Sequence, residues 1–181
     1  MKKSISDILK GCLKNQRVSQ KMLFDTYNPD LLSLAYRITG DKEKAKETTQ
    51  ECWIDIFNSL GNYDDKKGSF KNWAKTILVR KAWKHIYPNT NTVELENNIY
   101  QNSDSSTDEK MDSEQLINQM KYIPTSSRIV FQLFIIDGYK HAEIGELLNI
   151  SESTSRVHLS KARKIMKERY LIINKISCDE L

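Results

Sequence analysis

The sequence has few residues that interrupt helices. It holds 6 glycines and 3 prolines in 181 residues, and long stretches repeat apolar residues at the spacing of a helix rather than in the alternation of a strand. Its longest apolar runs, such as 131–136, are too short to cross a bilayer. The sequence therefore predicts an all-helical fold and gives no sign of a membrane protein.

Cysteine and histidine are scarce as well. Cys12, Cys52 and Cys178 are widely spaced and form no CxxC pair, which argues against structural disulfides and for a reducing compartment, the cytoplasm. The three histidines do not cluster with carboxylates. Paired catalytic carboxylates, a Ser/His/Asp set and a phosphate-binding glycine loop are also missing. We expect no catalytic site, no metal, no cofactor and no small-molecule substrate.

Charge divides the chain into parts. The whole chain has a net charge of +4, but the stretch 91–114 contains seven acidic residues and one lysine. This stretch is polar and has few apolar side chains that could be buried. Such a stretch does not offset its ordering entropy, so we expect a flexible acidic linker. The predicted parts are an N-terminal extension (1–17), a helical domain (18–90), the linker (91–112), a second helical domain (113–173) and a tail (174–181).

The segment Gly138–Lys164 is typical of a helix-turn-helix. Gly145 allows a second helix to cross closely, Asn149 tolerates the left-handed backbone that ends a helix, and Ser151 suits the N-cap of the next one. The second helix of this motif lies in the DNA major groove. Arg156 is placed to reach base edges there.

Cations strengthen this interpretation. The stretch 151–170 has a net charge of +4, which favours binding to the phosphates of a duplex. We expect His158, like Arg156, to reach base edges, and Lys161, Arg163 and Lys164 to contact phosphates. The alternative is a solvated helix face, which is common for lysine-rich stretches.

The first helical domain contains a row of acids. Asn28 and Pro29 predict a break in the first long helix, with Asn28 as the cap of the restarted part. In the following helix Glu47, Glu51 and Asp55 are spaced four residues apart. That row is either plain solvent exposure or a docking face for a basic partner; the spacing alone leaves both open.

A basic helix with aromatic residues follows. The stretch 66–87 carries seven cations and no acid, with Phe70, Trp73, Trp83 and Tyr87 among them. Aromatic rings interleaved with cations suit single-stranded nucleic acid, because rings stack on bases while cations follow the backbone. The alternative is that the rings belong to the core. We favour it for Phe70 and Trp73 but find Trp83 and Tyr87 harder to explain in that way.

Both domains, in this order, resemble the sigma-70 family of bacterial RNA polymerase initiation factors, in its extracytoplasmic-function group. Residues 24–83, FDTYNPDLLSLAYRITGDKEKAKETTQECWIDIFNSLGNYDDKKGSFKNWAKTILVRKAW, look like the family's region 2. Residues 122–168, YIPTSSRIVFQLFIIDGYKHAEIGELLNISESTSRVHLSKARKIMKE, look like its region 4. The two regions in this order indicate the family far more specifically than a helix-turn-helix alone would.

The resemblance implies three contact surfaces. Core RNA polymerase would dock on the acidic helix, through Glu47, Gln50, Glu51 and Asp55. A loop and the helix after it would melt the downstream (minus-10) promoter element and capture a flipped base. The residues implied there are Asn62, Tyr63, Lys66, Lys67, Phe70, Trp73, Arg80, Lys81, Trp83 and Lys84. The upstream (minus-35) element would be read by Ser153, Thr154, Arg156, His158, Ser160, Lys161, Arg163 and Lys164.

The resemblance also implies partners. They are core polymerase, promoter DNA and an anti-sigma factor, and the chain would be a monomer when free. Lys44 and Lys46 stand where the family often has acids, Arg80 where many members have Asn, and Ser155 where an aliphatic residue is usual. The alternative function is a helix-turn-helix regulator that does not act through polymerase; a small helical enzyme ranks last.

Overall fold

The computed structural model describes residues 4–88 and 119–179, with side chains described as far as Ile172. The chain separates into two compact units, Met1–Ala82 and Trp83–Leu181. Every regular element within the described ranges is helical, as predicted. The predicted acidic linker, 91–112, lies outside the described residues.

The first unit is built from four helices and two short 3-10 turns. The helices are α1 (Ile5–Leu13), α2 (Arg17–Thr39), α3 (Lys42–Ser59) and α4 (Phe70–Ile86), and the turns are Leu60–Asn62 and Asp65–Lys67. Helix α2 packs against both α1 and α3. The inner face of α3 is buried as its spacing predicts, with Ala45, Thr49, Cys52, Trp53 and Ile56 inside, and Leu60 of the following turn is buried too. The boundary between the two units falls within α4.

Helix α1 lies within residues 1–17, the segment predicted to be an N-terminal extension. Ser4 caps it by accepting a hydrogen bond from the Asp7 amide, and Ile8 and Cys12 are buried. Gly11 is needed where α1 crosses α2, because a Cβ there would lie 2.1 Å from Oγ of Ser19. The helix is therefore an integral part of the first unit.

The predicted break at Asn28 and Pro29 is wrong. Helix α2 runs on with Pro29 inside it, and Asn28 is not a cap: its Oδ1 accepts a hydrogen bond from Nε1 of Trp53 at 3.0 Å. Proline removes one helical hydrogen bond. Leu23 before it and Leu31 after it are both buried, and this burial on the same helix offsets the loss.

The second unit contains the helix-turn-helix. Helix α5 (Thr125–Phe131) leads into a π-helical turn (Gln132–Ile136), and α6 (His141–Leu148) and α7 (Glu152–Asp179) follow. Helices α5 and α6 both pack on α7. The core is made by Ile129, Val130, Ile144, Leu148, Leu159 and Ala162. Helix α7 continues through most of the segment predicted to be a tail.

A buried arginine ties the start of α5 to the segment before it. Arg128 donates hydrogen bonds to the carbonyl of Ile123 from Nε at 3.2 Å and Nη2 at 2.7 Å, and from Nη2 to the carbonyl of Lys121 at 3.0 Å. Burial lowers the pKa of the Arg128 guanidinium. The side chain therefore satisfies backbone groups that the short turn would leave without partners.

Candidate polymerase and nucleic-acid interfaces

The acidic row lies on the outer face of α3. Glu47 and Gln50 are exposed, and Glu51 and Asp55 are half-buried. Because residues three and four apart in a helix are neighbours, these four side chains form one surface. The side chain of Asp41 caps the helix by accepting a hydrogen bond from the amide of Lys44 at 2.8 Å. This cap defines where α3 begins.

Two of these acids are bound within the first unit. Nζ of Lys81 lies 2.6 Å from Asp55 and 3.7 Å from Glu51, and the contact with Asp55 raises the pKa of Lys81. Lys81 was expected to contact minus-10 DNA. It instead faces α3, because its register on α4 places it opposite the two carboxylates, and it is half-buried there.

An apolar residue in the middle of the acidic surface was missed. Ile54 belongs to the same stripe as Glu47, Gln50 and Glu51, and it is 55% exposed. Large apolar side chains at the centre of a polar surface are common anchors of protein interfaces. The signal was present in the sequence, since Ile54 falls outside the buried register of Cys52, Trp53 and Ile56.

The loop between α3 and α4 is held by aromatic contacts. The hydroxyl of Tyr63 donates to the carbonyl of Gly68 at 3.0 Å. Its ring lies 5.6 Å from Phe70 and 5.4 Å from Trp73, centroid to centroid. Tyr27 packs on Phe70 from the other side of the cluster at 4.9 Å. The loop therefore has a defined shape.

Two aromatic residues expected at the minus-10 surface lie inside. Phe70 is 2% exposed and Trp83 is 5% exposed, the latter against Tyr87 with ring centroids 4.9 Å apart. Phe70 packs in the cluster with Tyr27 and Tyr63, which matches the core interpretation. Trp83 is buried as well, although the sequence made it harder to explain as a core residue, and its contact with a base stays a prediction.

Other predicted minus-10 residues lie at the surface. Asn62, Lys66, Lys67, Arg80 and Lys84 are exposed, and Tyr63 and Trp73 are half-buried. These side chains come from one loop and the outer face of one helix. Cations of this kind can follow a phosphate backbone, and the two half-buried rings offer edges or faces to a base. Their contact with DNA stays a prediction.

The turn of the helix-turn-helix has the predicted geometry. Asn149 adopts the left-handed conformation, with φ of 55°, and Oγ of Ser151 accepts from the amide of Thr154 at 3.0 Å. A Cβ at Gly145 would lie 2.9 Å from the carbonyl oxygen of Ile150. Glycine is therefore what allows the turn to cross α6 closely.

The recognition helix α7 separates its side chains into two faces. The exposed or half-exposed residues expected at minus-35 DNA are Ser153, Arg156, Ser160, Lys161, Arg163 and Lys164. Arg156 forms an ion pair with Glu152 one turn earlier. Val157, which was not predicted, is 39% exposed beside Arg156. An apolar side chain at such a position suits contact with a thymine methyl group.

Two of the expected minus-35 residues point inward. Thr154 is buried, with its hydroxyl 2.8 Å from Oγ of Ser151. His158 is 4% exposed, and its Nδ1 lies 3.2 Å from Oγ of Ser127. Burial lowers the pKa of His158 to about 4. Positions 154 and 158 are one turn apart on the inner face of α7, so neither side chain is exposed for a DNA contact in this structure.

The described part of the chain contains neither a membrane span nor a cluster of metal ligands. None of its helices combines the length and apolar character that a membrane span needs. Its His, Cys, Asp and Glu side chains form no group of three that could hold a metal ion. Cys12 and Cys52 are buried free thiols, and burial raises the pKa of Cys52 to about 12, so this thiol is unreactive at neutral pH.

Family models match both domains. The model of sigma-70 region 2 matches residues 23–88, and that of sigma-70 region 4 matches residues 113–166. Together they cover well over half of the chain. The two matched ranges lie within the predicted domains.

Two known proteins are similar to this one along most of the chain. The extracytoplasmic-function (ECF) RNA polymerase sigma factor SigM of Bacillus subtilis is 24% identical over 153 residues, covering 82% of this chain and 93% of SigM. SigW of the same organism, also an ECF RNA polymerase sigma factor, is 23% identical over 185 residues, covering 93% of this chain and 96% of SigW.

Solved structures share the fold. CnrH, solved in complex with the cytosolic domain of CnrY, matches with a TM-score of 0.52 at 13% identity, over 90% of this chain and 94% of CnrH. The sigma factor RpoE of Bartonella quintana, solved with the anti-sigma factor NepR, matches with a TM-score of 0.51 at 16% identity, over 82% of this chain and 94% of RpoE. With the two family matches and the curated relatives, the chain belongs to the sigma-70 family, as an RNA polymerase sigma factor of the extracytoplasmic-function group.

Proposed function

We propose that this sigma factor divides its task among three surfaces and performs no catalysis of its own. The outer face of α3 docks on core polymerase. The loop 62–69 and the exposed side of α4 open the minus-10 element. The outer face of α7 reads the minus-35 element. Because bacterial polymerase and its promoters are cytoplasmic, the chain would act in that compartment.

The observation that carries the polymerase role is the surface around Ile54. Glu47 and Gln50 are exposed on the same face of α3 as Ile54, an apolar side chain that is more than half exposed. A helix-turn-helix regulator that acts alone needs no such surface. The α3 surface suits a basic partner that contacts Ile54 with an apolar side chain. In such interfaces the charged residues at the edge orient the partner, and the buried apolar residue contributes most of the affinity.

The minus-10 role is supported by the distribution of cations. Lys66 and Lys67 project from the loop, and Arg80 and Lys84 from α4, while no acid occurs between positions 66 and 87. Flipping a base out of a duplex costs a few kcal/mol. Phosphate contacts and the partly exposed rings of Tyr63 and Trp73 would offset this cost.

The minus-35 role is supported by the exposed face of α7. Arg156 and Val157 lie in the early turns of the helix, where a recognition helix meets base edges. Lys161 and Lys164 lie one and two turns further along, on the exposed side. We therefore expect the early turns of α7 to contact bases and the later turns to contact phosphates.

An inhibitory partner is part of this proposal. RpoE, a structural neighbour, was solved with an anti-sigma factor. We expect a comparable protein to hold this chain by covering the α3 surface, and the free chain to be a monomer. Such an inhibitor would compete with core polymerase, so excess polymerase should displace it.

Transcription in vitro tests the proposal. Purified protein with core polymerase should start RNA synthesis at one promoter that core polymerase alone ignores. Glu47→Lys should weaken polymerase binding at least tenfold, because a like charge facing a basic partner costs several kcal/mol. Asp25→Lys, an equal change at an exposed acid of α2, is the control. Tight binding to a palindromic site as a homodimer, without polymerase, would instead establish the regulator alternative.

A further inference from the structure

A polar contact joins the two helices of the helix-turn-helix. Ser155, in the first turns of α7, is fully buried, and its Oγ lies 2.9 Å from Nδ1 of His141, the first residue of α6. The hydroxyl therefore gives α6 and α7 a directional contact in an otherwise largely apolar interface.

His141 has a second contact on its ring. It stacks on Phe134 of the π-helical turn, with ring centroids 4.4 Å apart and planes inclined by 25°. The guanidinium of Arg163, two turns beyond Ser155 on α7, lies 5.9 Å from the same Phe134 ring. Three elements, the π-helical turn, α6 and α7, thus meet at one imidazole.

We propose that His141 is a positioning residue for reading the minus-35 element, because its hydrogen bond to Ser155 fixes the rotation of α7 about its own axis. The inference rests on the proposed role of α7. Arg156 follows Ser155 directly, so whatever holds the serine sets the direction in which the arginine leaves the helix.

Small rotations are sufficient to matter. Side chains end about 6 Å from a helix axis, so a rotation of about 15° moves a side-chain tip by about 1.5 Å. Two parallel hydrogen bonds to guanine tolerate little of that displacement, because they weaken steeply with distance and angle. Phosphate contacts from long lysines adapt more easily. Loss of the contact should therefore reduce selectivity more than affinity.

The charge on His141 agrees with this role. Burial lowers its pKa, as do Arg156 and Arg163 on α7, while Glu152 acts in the opposite direction. On the π-helical turn it faces an uncharged ring, Phe134. The lowered pKa favours the neutral imidazole. In the tautomer with the proton on Nε2, Nδ1 accepts a hydrogen bond from the hydroxyl of Ser155.

Three variants of the full chain separate the two contacts of His141. His141→Phe keeps a ring to stack on Phe134 but loses the hydrogen bond. His141→Asn places a polar atom near the position of Nδ1 but loses the stack. Ser155→Ala removes the other partner of the hydrogen bond. Glu146→Gln, at an exposed position of α6, is the control.

The measurement is transcription with core polymerase from a promoter and from versions with single changes in the minus-35 element. His141→Phe and Ser155→Ala should each lower the preference for the original sequence about threefold to tenfold, as expected for a coupled pair. The double variant should lose no more than either single one. His141→Asn should retain most of the preference, and the control all of it.

Other results would overturn the inference. If His141→Phe weakens transcription equally on all sequences, or leaves the preference unchanged, His141 is only a packing residue. A thermal melt of each variant shows whether a loss reflects unfolding; His141→Asn and Ser155→Ala then decide the question. If the unaltered protein itself ignores the minus-35 sequence, the proposed role of α7 fails, which is a distinct outcome because it requires no variant.

Discussion

Ile54→Ala should weaken binding to core polymerase about tenfold. The substitution removes three carbon atoms, each worth about 0.8 kcal/mol when fully transferred from water. Because Ile54 is 55% exposed in the free chain, a partner that buries it fully can gain about half of that transfer free energy. The expected loss is about 1.3 kcal/mol, close to one decade in affinity.

Titration of labelled protein with core polymerase measures this loss. Leu13→Ala is a matched control, since Leu13 on α1 is 56% exposed and loses the same number of carbon atoms. Both variants give up similar burial within the fold, so their melting temperatures should fall by similar amounts. If the two variants bind polymerase equally well, Ile54 is not in the interface and the assignment of this face of α3 is wrong.

Three further predictions concern the second unit. Arg156→Ala should cost about 1–3 kcal/mol at one minus-35 base pair if that arginine reads guanine; equal weakening on every sequence, measured by competition binding, would make it a phosphate contact. Arg128→Met should destabilise the fold by about 2–4 kcal/mol in chemical denaturation, because the carbonyls of Lys121 and Ile123 lose charged donors. The pKa of His158 is lowered to about 4, so the unfolded chain binds more protons, and stability should fall by about 3 kcal/mol as pH decreases from about 6.5 to 4. His158→Phe should flatten that slope in urea titrations.

Local signals in the sequence predicted local structure well. Asn149 and Ser151 have the backbone and the cap that their residue types favour, and Gly145 allows the close crossing expected of it. Each of these features depends on a few neighbouring residues, so the sequence carries most of the necessary information.

The orientation of residues within a helix was harder to predict. Thr154 and His158 were assigned to DNA, yet both lie on the inner face of α7. The spacing of buried Ser155 and Leu159 could have shown this, but polar residue types at 154, 155 and 158 hid the pattern. Their burial depends on tertiary partners such as Ser127, more than 25 residues away.

The break predicted at Pro29 failed for a similar reason. A proline and an asparagine form a strong local signal for a new helix start, but the bond from Trp53 to Asn28 spans 25 residues. Helix α1 was overlooked although Ile5, Ile8 and Cys12 have helical spacing and Ser4 is a good cap. Its short length gave a weak pattern, and its stability depends on packing against α2.

The ion pairs of Lys81 affect how fast this protein meets its polymerase. Lys81 compensates one of the two negative charges on Glu51 and Asp55, so the α3 surface attracts a basic partner less at long range than its acids suggest. Encounter rates that depend on such attraction fall steeply with salt. A surface partly compensated from within should lose less association rate with rising ionic strength than its three acids alone would suggest, so the dissociation rate would contribute more to its competition for polymerase.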